Sequence, residues 1–286
     1  MQILFQELVW QIVNKVDTET ARKLPLYARS PFLEMEGLMR PEHLEAIINS
    51  KGSDVNDEKG SMMVKLLTET IKLTDEMPSP RVIKSHLPFE MLPPNLLDTC
   101  KVIFVCRNPK DCCVSFYHHY QTFPEYMFKG TFADYAKMFM DGTLEFGSYW
   151  TMLKVLAISF NISIETIDIN VKLIFQSAWK RKDHPNMKIM WYEDMKRDLI
   201  AIIKDVSKFI GYHMTELKVL QLDDHLYIDN FREVITEGFG DPTMRKFIRK
   251  GKVGDWKNYF NEENNKLWDQ WIAENLDGTD IKLPEA

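Results

Sequence analysis

Apolar residues recur at helical spacing from the first turn: Phe5, Leu8, Val9, Ile12 and Val13 share one side of a 3.6-residue period and predict a helix within Met1–Val16. Pro25 and Pro31 close that opening segment with turns. The helical pattern returns over 41–49, with Pro41 in the first turn, and over 62–73, on either side of the polar stretch KGSDVNDEKGS, which reads as a surface loop. The pattern then changes. RVIKSHLP (81–88) is a short β-rich run ending in polar residues, and KVIFVCRNP (101–109) is almost continuously apolar from Val102 to Cys106. A run apolar on both faces suits a parallel strand covered by helices on both sides. KDCCVSFYHHY (110–120) resumes at helical length, NMKIMWYEDM (186–195) is another strand with a polar exit, and DLIAIIKDVSKFIGY (198–212) is an amphipathic helix closed by Gly211.

Strand, turn and helix in this alternation predict an α/β fold: a single domain with a central parallel sheet flanked by helices. In such sheets ligands sit beyond the carboxyl ends of the strands. The polar groups KSH and RN stand at those ends. No internal repeat, low-complexity tract or long linker interrupts the chain.

Composition narrows the function classes. A formal net charge of -6 argues against a protein that coats nucleic acid or an anionic membrane, so any anion site is local. The first sixteen residues lack an early basic residue and carry Glu7, which does not fit a secretory leader, and the apolar-looking stretch 155–176 contains Glu165, Asp168 and Lys172, which does not fit a membrane span. A cytoplasmic protein is expected. The cysteines, Cys100, Cys106, Cys112 and Cys113, lack paired CxxC spacing and are too crowded for a disulfide framework, so they are expected as reduced core thiols with no metal bound.

Against the acidic background one segment is basic. PTMRKFIRKGKVGDWKN (242–258) carries Arg245, Lys246, Arg249, Lys250, Lys252 and Lys257 against Asp255 alone, and Gly251 and Gly254 let backbone N–H groups approach an anion closely. At the exit of RVIKSH, Lys84 and His86 alternate with Ser85 and therefore project from the same face of an extended chain. A histidine there suits proton abstraction from a hydroxyl, and a neighbouring lysine suits stabilisation of a transferring anionic group. Arg107 at the exit of VIFVC and Ser115 on the following helix suit a phosphate, and Tyr192 suits contact with a base.

Taken in order, KSHLP, RNPKDCCVSFYHHY, WYEDM, IDNF and RKGKVGDWKNYF resemble the cytosolic sulfotransferase family over nearly the whole chain. That family transfers a sulfuryl group from 3′-phosphoadenosine-5′-phosphosulfate to the hydroxyl of a small lipophilic acceptor such as a phenol or sterol. The resemblance implies His86 as the base for the acceptor hydroxyl, with Lys84 stabilising the sulfuryl group. Arg107, Ser115, Arg249, Lys250 and Gly251 are implied to hold the 3′-phosphate, Tyr192 to contact the adenine and Phe231 to stack on it. Asp229 and Asn230 stand where the family has a Thr-Ser pair. No GxxxxGK[ST] motif supports a P-loop kinase.

Three departures accompany the resemblance. The family's first strand and its PKSGTTW-like phosphosulfate loop precede a helix like QELVWLI, whereas only Met1–Phe5 precede QELVWQIV here, so the loop is expected to be missing. That absence keeps open an alternative, a nucleotide-binding homologue without turnover. Residues 155–176, VLAISFNISIETIDINVKLIFQ, separate segments that the family joins almost directly and read as an insertion or as a retained intron translated in frame. A mature transcript carrying those codons contradicts the intron. Finally, the family's dimer motif KxxxTVxxxE falls at Lys257, where Asn261, Glu262 and Lys266 replace Thr, Val and Glu, so that motif is not matched and a homodimer is left open.

Overall fold

The computed structural model describes residues 2–38, 64–87, 89–123, 126–144, 149–150, 177–240, 242 and 244–284. The helix expected over 41–49, the loop 51–61 and the stretch 155–176 lie outside the described residues. The chain forms two compact units, each assembled from separated stretches: residues 1–86, 122–127 and 198–251 in the first, and 87–121, 128–197 and 252–286 in the second.

The first unit is helical. Its opening helix, Gln2–Val13, packs against Leu199–Ile210, Glu216–Leu226 and the turn Leu26–Arg29. Phe5, Leu8 and Ile12 are buried, as the spacing predicts, whereas Val9 and Val13 are half-buried; Leu4 and Trp10, outside the predicted stripe, are buried, and so are Glu7 and Gln11 on the same helix. Their partners explain this: Glu7 accepts from Arg29 at 2.7 Å and pairs with the His225 ring at 2.9 Å, while Gln11 donates to Glu7 at 2.7 Å. The helix Leu199–Ile210 starts where Asp198 accepts from the Ala201 N–H and ends at Gly211, whose φ of 86° is the left-handed turn that glycine adopts without steric cost.

RVIKSHLP departs from the sequence expectation. It forms one parallel bridge, Phe32 with Lys84, rather than a strand. The Lys84 N–H donates to the Pro31 carbonyl and the Leu33 N–H to the Lys84 carbonyl. Pro31 has no N–H to extend the ladder on one side, and on the other the His86 N–H is taken by the Glu34 carboxylate.

The second unit holds the parallel pair. Strand β1 (Val102–Cys106) runs beside β2 (Met187–Trp191) with Val102 opposite Met187 and Cys106 opposite Trp191. Burial deepens toward the carboxyl end: Val102 to Val105 are half-buried, whereas Cys106 is buried in a cluster with Trp150, Ile272 and Ile281. The helix Pro109–Thr122 follows β1 directly, and Cys112 and Cys113 lie in its buried part. All four cysteines are free thiols, but Cys100 is exposed, because it ends the short helix Leu96–Thr99 ahead of the strand instead of lying in it. No described helix is long and apolar enough to cross a membrane.

Candidate active site

The first unit carries Lys84, His86, Phe231, Arg249, Lys250 and Gly251; the second carries Arg107, Ser115 and Tyr192. Each set is built by its own local structure.

Lys84 and His86 flank one ring. The Lys84 ammonium lies 4.7 Å from the centre of Phe32, and the His86 imidazole meets the same ring edge-on at 4.6 Å. The same-face geometry expected from the alternation is therefore present, although the segment makes only one bridge. Glu34 fixes the approach: one carboxylate oxygen accepts from the Ser85 hydroxyl at 3.1 Å and from the His86 N–H. The second, buried Glu34 oxygen makes no hydrogen bond among the described residues.

Electrostatics at this site suit a neutral base beside a cation. Burial, and then the Lys84 charge, push the His86 imidazole well below its ordinary 6.5, so the ring is neutral at physiological pH. Burial lowers Lys84 to about 8, against the opposing pull of the Glu34 carboxylate. Burial also raises Glu34, although the hydrogen bonds from His86 and Ser85 and the Lys84 charge oppose it.

Phe231 is buried on the helix Ile228–Phe239. The adjacent Arg232 donates to the carbonyls of Ile248 at 2.8 Å and Arg249 at 2.5 Å and pairs with Asp229 at 2.5 Å. One helix thus positions Phe231 and grips the backbone that carries Arg249, Lys250 and Gly251. Gly251 has a φ of 60°, which turns the chain directly after the two cations. Arg232 has no motif of its own in the sequence; its neighbour in IDNFREV is the sole pointer to it.

In the second unit, Arg107 is 7% exposed and its guanidinium lies 4.5 Å from the centre of the Tyr192 ring. One terminal nitrogen reaches the Lys252 carbonyl at 3.3 Å, while the buried Nε makes no hydrogen bond among the described residues. Ser115 stands half-buried on the helix Pro109–Thr122. Burial raises the Tyr192 hydroxyl, with the Arg107 charge opposing.

Two further residues of RNPKD shape this unit. The buried Asp111 accepts from the N–H groups of Gly254 at 2.7 Å and Trp256 at 3.1 Å, fixing the glycine turn, whose φ is 77° at Gly254. Lys110 donates to Asn265 and Asp269, both at 2.5 Å, with its ammonium 4.5 Å from the centre of Trp256. The sequence shows both residues inside a recognisable motif, but not that their partners lie more than 140 residues away. Among the described residues no group of three or more His, Cys, Asp or Glu is arranged to hold a metal ion.

Comparison with known proteins gives the same direction throughout. The family described as the sulfotransferase domain matches residues 3–159 and 173–280. Human sulfotransferase 1C2 is 27% identical over 97% of this chain and 80% of its own length, and mouse sulfotransferase 1A1 is 31% identical over 91% and 75%. Among solved structures, retinol dehydratase in complex with androsterone and the inactive cofactor PAP superposes with a TM-score of 0.76 at 28% identity, covering 99% of this chain and 79% of that one. With a family match that runs through both units, the chain belongs to the sulfotransferase domain family and is an enzyme of the sulfotransferase class.

Proposed function

We propose that the protein transfers a sulfuryl group from 3′-phosphoadenosine-5′-phosphosulfate to the hydroxyl of a small lipophilic acceptor, a phenol, sterol or other alcohol. The observation that carries this reading is the pairing of His86 and Lys84 on Phe32, a neutral imidazole and a cation held at 4.6 Å and 4.7 Å from one ring. The buried Arg107 Nε, a donor without a hydrogen bond among the described residues, fits an anionic ligand. So do the cations Arg249 and Lys250 ahead of the Gly251 turn. The solved relative's complex with PAP supports the choice of donor. The same reading places the protein in the cytoplasm and takes residues 155–176 as an insertion or a retained intron read in frame, a stretch of which the family match leaves out 160–172.

In the proposed reaction the acceptor oxygen attacks sulfur in line, its proton passes to the His86 imidazole, and the bond from sulfur to the 5′-phosphate oxygen breaks. Adenosine 3′,5′-bisphosphate departs with the bonding electrons. Lys84 stabilises charge on the transferring group, and positioning supplies most of the remainder, as in phosphoryl transfer. Ser115, Arg107, Arg249, Lys250 and Gly251 hold the 3′-phosphate, while Tyr192 and Phe231 receive the adenine.

The 3′-phosphate assignment is tested by comparing two nucleotides. The double variant R249A/K250A weakens adenosine 3′,5′-bisphosphate by about 100-fold, on the scale of two charge-assisted contacts. The affinity for adenosine 5′-monophosphate, which lacks that phosphate, is unchanged. Equal losses for both nucleotides remove these residues from the 3′-phosphate.

The pH dependence follows from the two shifts. His86, held well below 6.5, is already the neutral base throughout the neutral range, so the acid limb of kcat/KM lies below its ordinary value. Lys84 loses its proton near its lowered value of about 8, so kcat/KM falls as pH rises through that point. K84R keeps its charge at all accessible pH and removes the alkaline limb. A limb that stays near pH 8 in K84R belongs to another group.

A further inference from the structure

The peptide unit between Arg107 and Asn108 is held at both polar ends. Its carbonyl accepts from the Tyr149 hydroxyl at 2.6 Å, and its N–H donates to the Glu193 carboxylate at 2.9 Å. These two partners lie 42 and 85 residues away in sequence. Glu193 is 4% exposed and sits next to Tyr192, the ring against which the Arg107 guanidinium packs. Neither contact is part of a strand ladder, since β1 ends at Cys106. Burial pushes the Tyr149 hydroxyl well above its ordinary range, so it stays protonated and keeps donating.

A peptide plane fixed through both its oxygen and its nitrogen cannot rotate without losing a buried hydrogen bond. That plane sets the direction in which the Arg107 side chain leaves the backbone. We infer that Tyr149 and Glu193 are positioning residues that clamp the Arg107–Asn108 peptide and so aim the Arg107 guanidinium at the 3′-phosphate of the sulfuryl donor. The inference rests on the donor reading above, in which Arg107 holds that phosphate. Loss of either contact lets the peptide turn and spreads the guanidinium over orientations that do not meet the anion. The first turn of the helix Tyr192–Arg197 then serves twice, Tyr192 as the platform beneath the guanidinium and Glu193 as the restraint on its backbone.

A double-mutant cycle on the full chain tests this, with adenosine 3′,5′-bisphosphate binding measured by calorimetry. R107A alone weakens binding, and Y149F, which removes only the hydroxyl, weakens it about tenfold when Arg107 is present and by less than about twofold in the R107A background. E193A behaves like Y149F, and E193Q, whose side-chain carbonyl still accepts from the Asn108 N–H, returns binding to near the unchanged level. Equal weakening by Y149F in both backgrounds, or none in either, overturns the clamp. If R107A itself leaves binding unaltered, the donor reading of Arg107 fails instead, and that result is distinct from an additive cycle. Should E193A not fold, Y149F with E193Q decides the matter, because both keep the buried volume.

Discussion

Replacing His86 by alanine lowers the turnover number for sulfuryl transfer by about 10²–10⁴-fold, the usual span for loss of a general base. Adenosine 3′,5′-bisphosphate affinity stays within about twofold, since the imidazole acts on the acceptor and the lost contact belongs to the transition state. The prediction follows from how the ring is held. His86 packs edge-on against Phe32, its backbone N–H is fixed by Glu34, and burial together with the Lys84 charge keeps it neutral. A neutral, oriented imidazole can take a proton from a hydroxyl at pH 7 without first losing one. H86Q, which keeps polarity without basicity, is expected to be impaired like H86A. Full activity in H86A, measured under saturating donor and acceptor, removes the proposed base.

The largest effect on stability is expected from E7A. Glu7 is 0% exposed and receives Arg29 at 2.7 Å and the His225 ring at 2.9 Å, while Arg29 also packs over Trp10 at 4.2 Å. Removing the carboxylate strands a buried guanidinium, which costs about 3–5 kcal/mol. For a chain of this size the loss lowers Tm by roughly 6–20 °C. Burial by itself would raise the Glu7 carboxyl, but the His225 hydrogen bond and the Arg29 charge outweigh it, and the group lies below its ordinary 4.5. A carboxyl depressed in the folded state contributes stability that is present above 4.5 and lost as pH falls through the lowered value. Thermal unfolding at neutral pH, compared between E7A and the unchanged chain, checks the claim. A difference under about 1 kcal/mol would show that the network contributes no more than an exposed pair.

The parts of the fold that local pattern decides were legible in the sequence. Helical spacing marked Gln2–Val13, Gly211 closed Leu199–Ile210, and the apolar runs VIFVC and MKIMW became the paired strands. The one-residue alternation of Lys84 and His86 also carried through, because an extended backbone fixes which side chains share a face. What failed to show depended on distant partners. RVIKSHLP reads as a strand on propensity, yet Pro31 and Glu34, from the preceding part of the chain, reduce it to a single bridge. Glu7 counts in the sequence only as a charge that does not fit a secretory leader, whereas its partner His225 lies 218 residues away and brings it inside. The clamp on the Arg107–Asn108 peptide is of the same kind, since Tyr149 and Glu193 have no local relation to that peptide in sequence.

Direct transfer of label tests the central claim. The protein is incubated with 35S-labelled 3′-phosphoadenosine-5′-phosphosulfate and a panel of phenols, sterols and aliphatic alcohols, and the products are separated from the donor. Labelled sulfate ester is expected on at least one hydroxyl acceptor, formed with the pH dependence set by Lys84 and lost in H86A. No labelled ester on any acceptor, from a protein that still binds adenosine 3′,5′-bisphosphate, would contradict that claim.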